Sequence, residues 1–200
     1  MAKAASGEGD AKPLRIGFIL SRDFTMSAFS MFLDTLRLAS DVGDRSGRVH
    51  CDWEVLSASG HLVKCSAGIE LAPTARLADP RRYSHVAVVG GLLHRQDPLD
   101  DAAIGFLRSA AAAGVPLIGI CTGSFILARA GLLAGRKACV SWYHFDDFRE
   151  QFPDIPALAD CEPTSSHPQN RSSVKSNRGR RHRRQNSPVR KRATRAARGG

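Results

Sequence analysis

The distribution of apolar residues decides which part of this 200-residue chain can fold. Residues 161–200 contain no Leu, Ile, Phe, Met, Trp or Tyr, so they cannot bury enough apolar surface to offset the entropy lost on folding. Residues 1–13 are small and polar. The sequence therefore predicts a disordered N-terminus over 1–13, one folded domain over 14–160 and a disordered tail over 161–200.

The positive charge of the chain is confined to the same tail. Residues 161–200 hold 12 Lys and Arg residues and one acid, Glu162, whereas residues 1–160 hold 17 Lys and Arg residues against 18 Asp and Glu residues. A basic segment of this kind binds phosphate backbones without sequence preference. Because it has no aromatic residues to stack on bases, the sequence does not indicate specific recognition of single-stranded nucleic acid.

Several classes of protein are excluded by simpler features. No apolar run approaches the ~18–20 residues that span a bilayer, and the N-terminus lacks the apolar centre of a secretory signal. The five cysteines form an odd set with no CxxC motif and no Cys/His ligand spacing, which argues against a zinc site or a disulfide framework. We therefore expect a cytoplasmic protein with no metal, no cofactor and no membrane contact.

Within the folded region, short apolar runs alternate with helical patterns. Buried strands are predicted by short apolar runs at 14–20, 85–89 and 116–120, and a further strand is predicted by the alternating residues at 52–56. Apolar residues at helical spacing predict helices over 27–40, 101–113 and 125–130, with a last strand over 136–140 and a last helix over 142–152. Strands separated by helices imply a doubly wound α/β fold, in which a mostly parallel sheet is covered on both faces.

The segment Gly-Ile-Cys-Thr-Gly at 119–123 is the strongest candidate site. It lies between a buried strand and a helix, which is the context of a nucleophile elbow with Cys121 in place of serine. Backbone N–H groups at Thr122 and in the Gly90-Gly91 turn are placed to bind an oxyanion or a carboxylate. Both turns follow strands, at the sheet edge where open α/β sheets bind ligands. The alternative is a buried cysteine in a glycine-rich turn.

The predicted site residues follow from these turns. We expect ligand contacts from residues in the two turns and in the loop after the first strand, namely Phe24, Gly90, Gly91, Cys121, Thr122 and Gly123. A simple core role is the alternative for Phe24. If the elbow is catalytic, Cys121 is the nucleophile and His144 is the one candidate base. We expect Trp142 and Tyr143 to pack in the interior.

Residues 119–133 (GICTGSFILARAGLL), with the strand ending in Gly90-Gly91, resemble the ThiJ/PfpI branch of the class I glutamine amidotransferase-like superfamily. More narrowly, residues 14–160 are similar to the N-terminal domain of amidase-like AraC-family transcriptional regulators. The resemblance implies a flavodoxin-like sheet and a homodimer. It also implies that the domain senses a small metabolite, such as an amino acid or amine derivative, while C-terminal helix-turn-helix units bind DNA.

The resemblance also identifies what this sequence lacks. Hydrolytic members place an acid in the first helix near the position of Ala28, and many place a His at the position of Thr122 or Ser141. His144 lies three residues beyond the second of these positions. A non-catalytic sensing domain is therefore favoured, with the elbow as the floor of a binding pocket. The alternative is a stand-alone cysteine enzyme, with amidase, hydratase or glyoxalase-like activity at Cys121.

The end of the resemblance suggests an explanation for the tail. Similar regulators continue with an apolar strand, a Thr-Cys-x-Gly-Gly segment, a closing helix and the DNA-binding units, whereas here the pattern stops at about Cys161. A GC-rich gene translated out of frame produces such a sequence. On this hypothesis the regulator is truncated, its sheet lacks the last strand and helix, and it binds DNA only nonspecifically through the tail. A genuine basic extension is the alternative.

Overall fold

The computed structural model describes residues 14–41, 43, 45, 47–94 and 98–159. The expectations for the N-terminus (1–13) and the basic tail (161–200) concern residues outside these ranges. None of the helices in the described ranges has the length and apolarity needed to cross a bilayer.

The described elements alternate between strands and helices. In chain order they are β1 (Leu14–Leu20), α1 (Met26–Ser40), β2 (Cys51–Ser57), β3 (Val63–Lys64), β4 (Glu70–Leu71), β5 (Ala75–Arg76), β6 (His85–Val89), α2 (Asp101–Ala112), β7 (Leu117–Ile120), α3 (Gly123–Arg129), β8 (Ala138–Cys139), α4 (Phe145–Gln151) and β9 (Ala157–Leu158). Short 3-10 turns occur at Pro80–Arg82 and Trp142–His144.

Five strands form a parallel sheet in the order β5-β2-β1-β6-β7. In its centre, Phe18 of β1 is in register with Val55 of β2 on one side and Ala87 of β6 on the other. From β1 the chain continues outward to β2, and from β6 it continues outward to β7 in the opposite direction. This reversal between β1 and β6 is the topological switch point of a doubly wound sheet. The predicted α/β fold is confirmed.

Alternate strand residues build two separate cores because successive side chains of a strand point to opposite faces. One face packs against α1, through Phe29, and uses Ile16, Phe18, Leu20, Val55, Ala87 and Val89. The other face packs against α2 and α3 and uses Ile19, Leu56, Val86 and Val88. The continuous apolar runs at 14–20 and 85–89 are therefore those of strands buried on both faces.

A third, smaller core joins α3 to α4 and to the β8–β9 pair. Phe125 and Phe148 meet edge to face, with ring centroids 5.0 Å apart. Trp142 and Tyr143 precede α4 and are 79% and 71% exposed, so the expectation that they pack in the interior is wrong. The physical reason is that residues 142–144 form a 3-10 turn, and the predicted helix begins only at Phe145.

Gly90 lies where three chain segments converge. Its N–H donates to Ile120 O at the end of β7, and its carbonyl accepts from Thr25 N at the start of α1, both at 3.0 Å. A Cβ at Gly90 would collide with backbone atoms of Thr122 and Gly123. Backbone cannot move aside as the end of a flexible side chain can. This close approach therefore explains why glycine occupies the end of β6.

Phe18→Ala tests the core on the α1 face. Phe18 is fully buried and meets the rings of Phe29 and Phe32 edge to face, at 5.3 and 5.9 Å between centroids. We expect the free energy of unfolding, measured by urea denaturation, to fall by about 3–5 kcal/mol. Met31→Ala on α1, at a side chain that is 71% exposed, should change it by less than about 0.5 kcal/mol. Equal losses in the two variants would contradict this assignment of the core.

Gly90→Ala tests the convergence of the three segments. We expect a loss of about 3 kcal/mol in the free energy of unfolding, because the new Cβ forces backbone apart. The matched control is Gly105→Ala within α2, where a Cβ meets no atom within 4 Å. That variant should gain up to about 1 kcal/mol from helix propensity. The two alanine substitutions should therefore change the free energy of unfolding in opposite directions, as measured by thermal and urea denaturation.

Candidate functional site

Cys121 occupies the sharp turn between β7 and α3. Its φ of +57° lies in the left-handed region, which non-glycine residues seldom adopt. Its thiol is exposed and free. A strained residue that projects between a strand and a helix has the backbone geometry of a nucleophile elbow.

The partner of the thiol is a hydroxyl group. Cys121 Sγ donates to Thr25 Oγ1 at 3.5 Å. Thr25 precedes α1 without capping it, so its hydroxyl faces the thiol and not the helix N–H groups. Within the part of the chain that the structure describes, no carboxylate or imidazole hydrogen-bonds to Cys121. Sequence analysis overlooked Thr25, although a Thr just before a predicted helix is a recognisable signal.

His144 is held by contacts away from the elbow. Its Nδ1 lies 3.0 Å from Asp147 Oδ2, one turn along the chain. Its ring meets Phe125 edge to face, with centroids 6.2 Å apart. The two residues named for a catalytic pair, Cys121 and His144, are therefore not joined by a hydrogen bond in the described ranges.

The two glycine-rich turns do come together. The Thr122 hydroxyl donates to Gly91 O at 2.7 Å, and Gly90 and Gly123 are in close backbone approach. In the described ranges, the N–H groups of Gly91 and Thr122 donate to no protein acceptor. The expectation that these N–H groups bind an anionic group stays a prediction.

Phe24 lies beneath this site and not in it. Its side chain is fully buried and meets Phe29 edge to face, with ring centroids 6.0 Å apart. Its backbone forms single bridges with Cys65 and Gly91. This placement favours the core role over a pocket-lining role for Phe24.

The remaining cysteines have other environments. Cys51 and Cys65 are buried free thiols, and burial, followed by the negative charge of Asp52, raises the pKa of Cys51. Cys139 is disulfide-bonded, whereas the cysteine spacing argued against a disulfide framework. Sequence spacing carries no information on such a pairing. The described residues contain no group of three or more His, Cys, Asp or Glu side chains placed to hold a metal ion.

Two cavities near the carboxyl ends of the strands differ greatly in size. A cavity lined by Gly91, Thr122 and Ser21 has a volume of about 10 Å³, which is about one water molecule. A cleft of about 430 Å³ opens at the carboxyl ends of β1 and β2, beside the start of α2. We call it the β1–β2 cleft. Sequence analysis did not find it, because its walls come from three loops that only the strand order brings together.

Comparison with known proteins agrees with the fold. The sequence profile of the DJ-1/PfpI family matches residues 21–169. The HTH-type transcriptional regulator GbdR of Pseudomonas aeruginosa is 34% identical over 143 residues, which are 72% of this chain and 38% of GbdR. The isonitrile hydratase of Pseudomonas putida is 32% identical over 133 residues, which are 66% of this chain and 54% of the hydratase.

A solved structure gives the same result in three dimensions. The crystal structure of an AraC family transcriptional regulator from Pseudomonas putida superposes with a TM-score of 0.60 at 27% sequence identity, covering 74% of this chain and 77% of that one. The present chain spans only 38% of the length of GbdR and 54% of that of the hydratase. The family profile covers well over half of the chain and includes the elbow. The protein belongs to the DJ-1/PfpI family.

Proposed function

We propose that the folded domain is a non-catalytic sensor of a small metabolite in a transcriptional regulator of the AraC type. One observation carries the proposal: Cys121 Sγ is hydrogen-bonded to the Thr25 hydroxyl, and in the described ranges no acid or imidazole contacts it. A thiol needs a neighbouring base, or an equivalent activating group, to act as an efficient nucleophile in hydrolysis. Ala28, at the position where hydrolytic relatives are expected to carry an acid, cannot supply one.

The relatives support the regulatory role. GbdR and the structurally similar protein of Pseudomonas putida are both named as transcriptional regulators. On this proposal the domain forms a homodimer and binds an amino acid or amine derivative. In such a regulator, a DNA-binding module outside the region that this chain shares with GbdR would respond to the ligand. Because the chain spans a minor part of GbdR, this whole-protein activity belongs to the proposal.

A cysteine enzyme is the second candidate, and two observations favour it. Cys121 is exposed in a strained turn beside the N–H groups of Gly91 and Thr122, which is an arrangement suited to a covalent intermediate. One relative is named as an isonitrile hydratase. The enzyme alternative requires turnover of a substrate that depends on the Cys121 thiol, whereas the sensor proposal predicts no turnover.

Turnover of an alkyl isonitrile tests the enzyme alternative directly. Hydration adds water to the isonitrile carbon and gives the N-alkyl formamide, which chromatography quantifies. We expect no more product with the wild-type chain than with Cys121→Ser, because no base contacts the thiol. Iodoacetamide labelling is the control for access to the thiol: it should occur in the wild type and be lost in Cys121→Ser. Formamide production that depends on Cys121 would overturn the sensor proposal.

Thermal stabilisation by a ligand tests the binding that the sensor proposal requires. A panel of standard amino acids and their decarboxylated amines should contain a compound that raises the melting temperature, because ligands that bind only the folded state stabilise it. We expect Cys121→Ser to keep that shift within about twofold in Kd, since the thiol is not the recognition group. A Kd weakened by about tenfold or more would instead place the ligand on the thiol.

A further inference from the structure

The β1–β2 cleft has walls from three parts of the chain. The loop after β1 contributes Arg22 and Asp23, the end of β2 and the segment up to β3 contribute residues 57–59 and 61–64, and the N-terminal end of α2 contributes Asp100 and Ala103. The cleft lies beside the switch point between β1 and β6, at the carboxyl ends of the strands. Open α/β sheets bind ligands in this position because connections leaving on opposite faces keep a crevice open. Its volume of about 430 Å³ is within the usual range for small-molecule sites.

The walls are fixed to one another by backbone hydrogen bonds. Arg22 N donates to Pro98 O, and Asp23 N donates to Lys64 O, both at 2.9 Å. The loop after β1 is thus hydrogen-bonded both to the segment that precedes α2 and to β3. A cleft held in this way is formed before the ligand arrives, so binding does not have to order its walls.

The lining of the cleft holds two cations that form no ion pair within the described ranges, and two acids that already have partners. Arg22 and Lys64 line it, are exposed, and form no ion pair with another described residue. The two acids of the lining are already engaged: Asp100 Oδ1 accepts from Ala103 N at 2.7 Å, and Asp23 also has a partner. An anionic group that reached either cation would gain charge-assisted hydrogen bonds.

The inner side of the cleft is apolar. Ile19, Leu56 and Ala103 are buried core residues that also line it, and Leu99 is half-buried beside them. A ligand that places an anionic head between the cations can therefore lay a short hydrocarbon body on this floor. A protonated amine without an acidic group has no acceptor for the hydrogen bonds that Arg22 and Lys64 donate.

We infer that the β1–β2 cleft, and not the elbow, is the effector site, and that it takes a small organic acid: a carboxylate or phosphate head on a short apolar body. This inference rests on the proposed sensor function and narrows its ligand. An amino acid meets the requirement, and an amine that lacks an acidic group does not.

The test uses three probes with one carbon chain, namely hexanoate, hexyl phosphate and hexylamine, on the full 200-residue chain. Calorimetric titration should give a Kd for at least one of the two acids that is at least tenfold tighter than that for hexylamine. The acid that binds more tightly identifies the head group. Failure of both acids to bind more tightly than the amine overturns the inference.

Variants locate the site. Arg22→Gln and Lys64→Gln should each weaken binding of the acid about tenfold, as expected for loss of one charged hydrogen-bond partner. Both side chains are exposed and unpaired, so unchanged melting temperatures are expected for the free proteins. Arg136→Gln is the matched control, because Arg136 is exposed and lies outside the cleft. Acid binding that survives both cleft substitutions belongs to other cations, such as those of the tail, and overturns the inference.

Failure of this inference and failure of the sensor proposal give different results. If the elbow N–H groups hold the acid, binding persists in Arg22→Gln and Lys64→Gln, and the cleft is excluded while a sensor remains. If the protein is an enzyme, an isonitrile is hydrated in a Cys121-dependent way whatever the cleft variants do.

Discussion

The convergence of backbone at Gly90 is the constraint on which the rest of this structure depends. One residue connects the end of β6 to the end of β7 through its N–H and to the start of α1 through its carbonyl. The same residue leaves no room for a Cβ against Thr122 and Gly123. Because these contacts are between backbone atoms, they fix the turns by main-chain geometry and not by side-chain packing. The exposed position of the Cys121 thiol follows from that geometry.

The elements that the sequence predicts well are those whose signals are local. The runs at 16–20 and 86–89 are apolar throughout because both faces of β1 and β6 are buried there, and the helix over Met26–Ser40 follows from the spacing of its apolar residues. The elbow was predictable for the same reason, since strand, turn, glycines and helix are all contained in a few consecutive residues. The family resemblance rests on that same segment.

What the sequence could not predict depends on long-range arrangement. The two-residue strands β8 and β9 pair across an intervening helix, and each is too short to show a period. Trp142 and Tyr143 are exposed because a 3-10 turn interrupts the predicted helix, and no local residue pattern separates that turn from a helical first turn. The β1–β2 cleft is the clearest case. Its cations, Arg22 and Lys64, are 42 positions apart in the sequence and line one cleft because β1 and β2 are neighbours in the sheet.

The loop over 21–25 connects the two candidate sites. At one end Arg22 and Asp23 are bonded to the walls of the cleft, and at the other the Thr25 hydroxyl accepts from the Cys121 thiol. Between them Phe24 is buried in the core, which leaves this loop little freedom to absorb a displacement locally. An acid that draws Arg22 inward would therefore act on the same short segment that holds the thiol. On the proposed sensor function, the cleft and the elbow therefore share one short segment, so that a ligand bound at one end contacts the same loop that holds the thiol at the other.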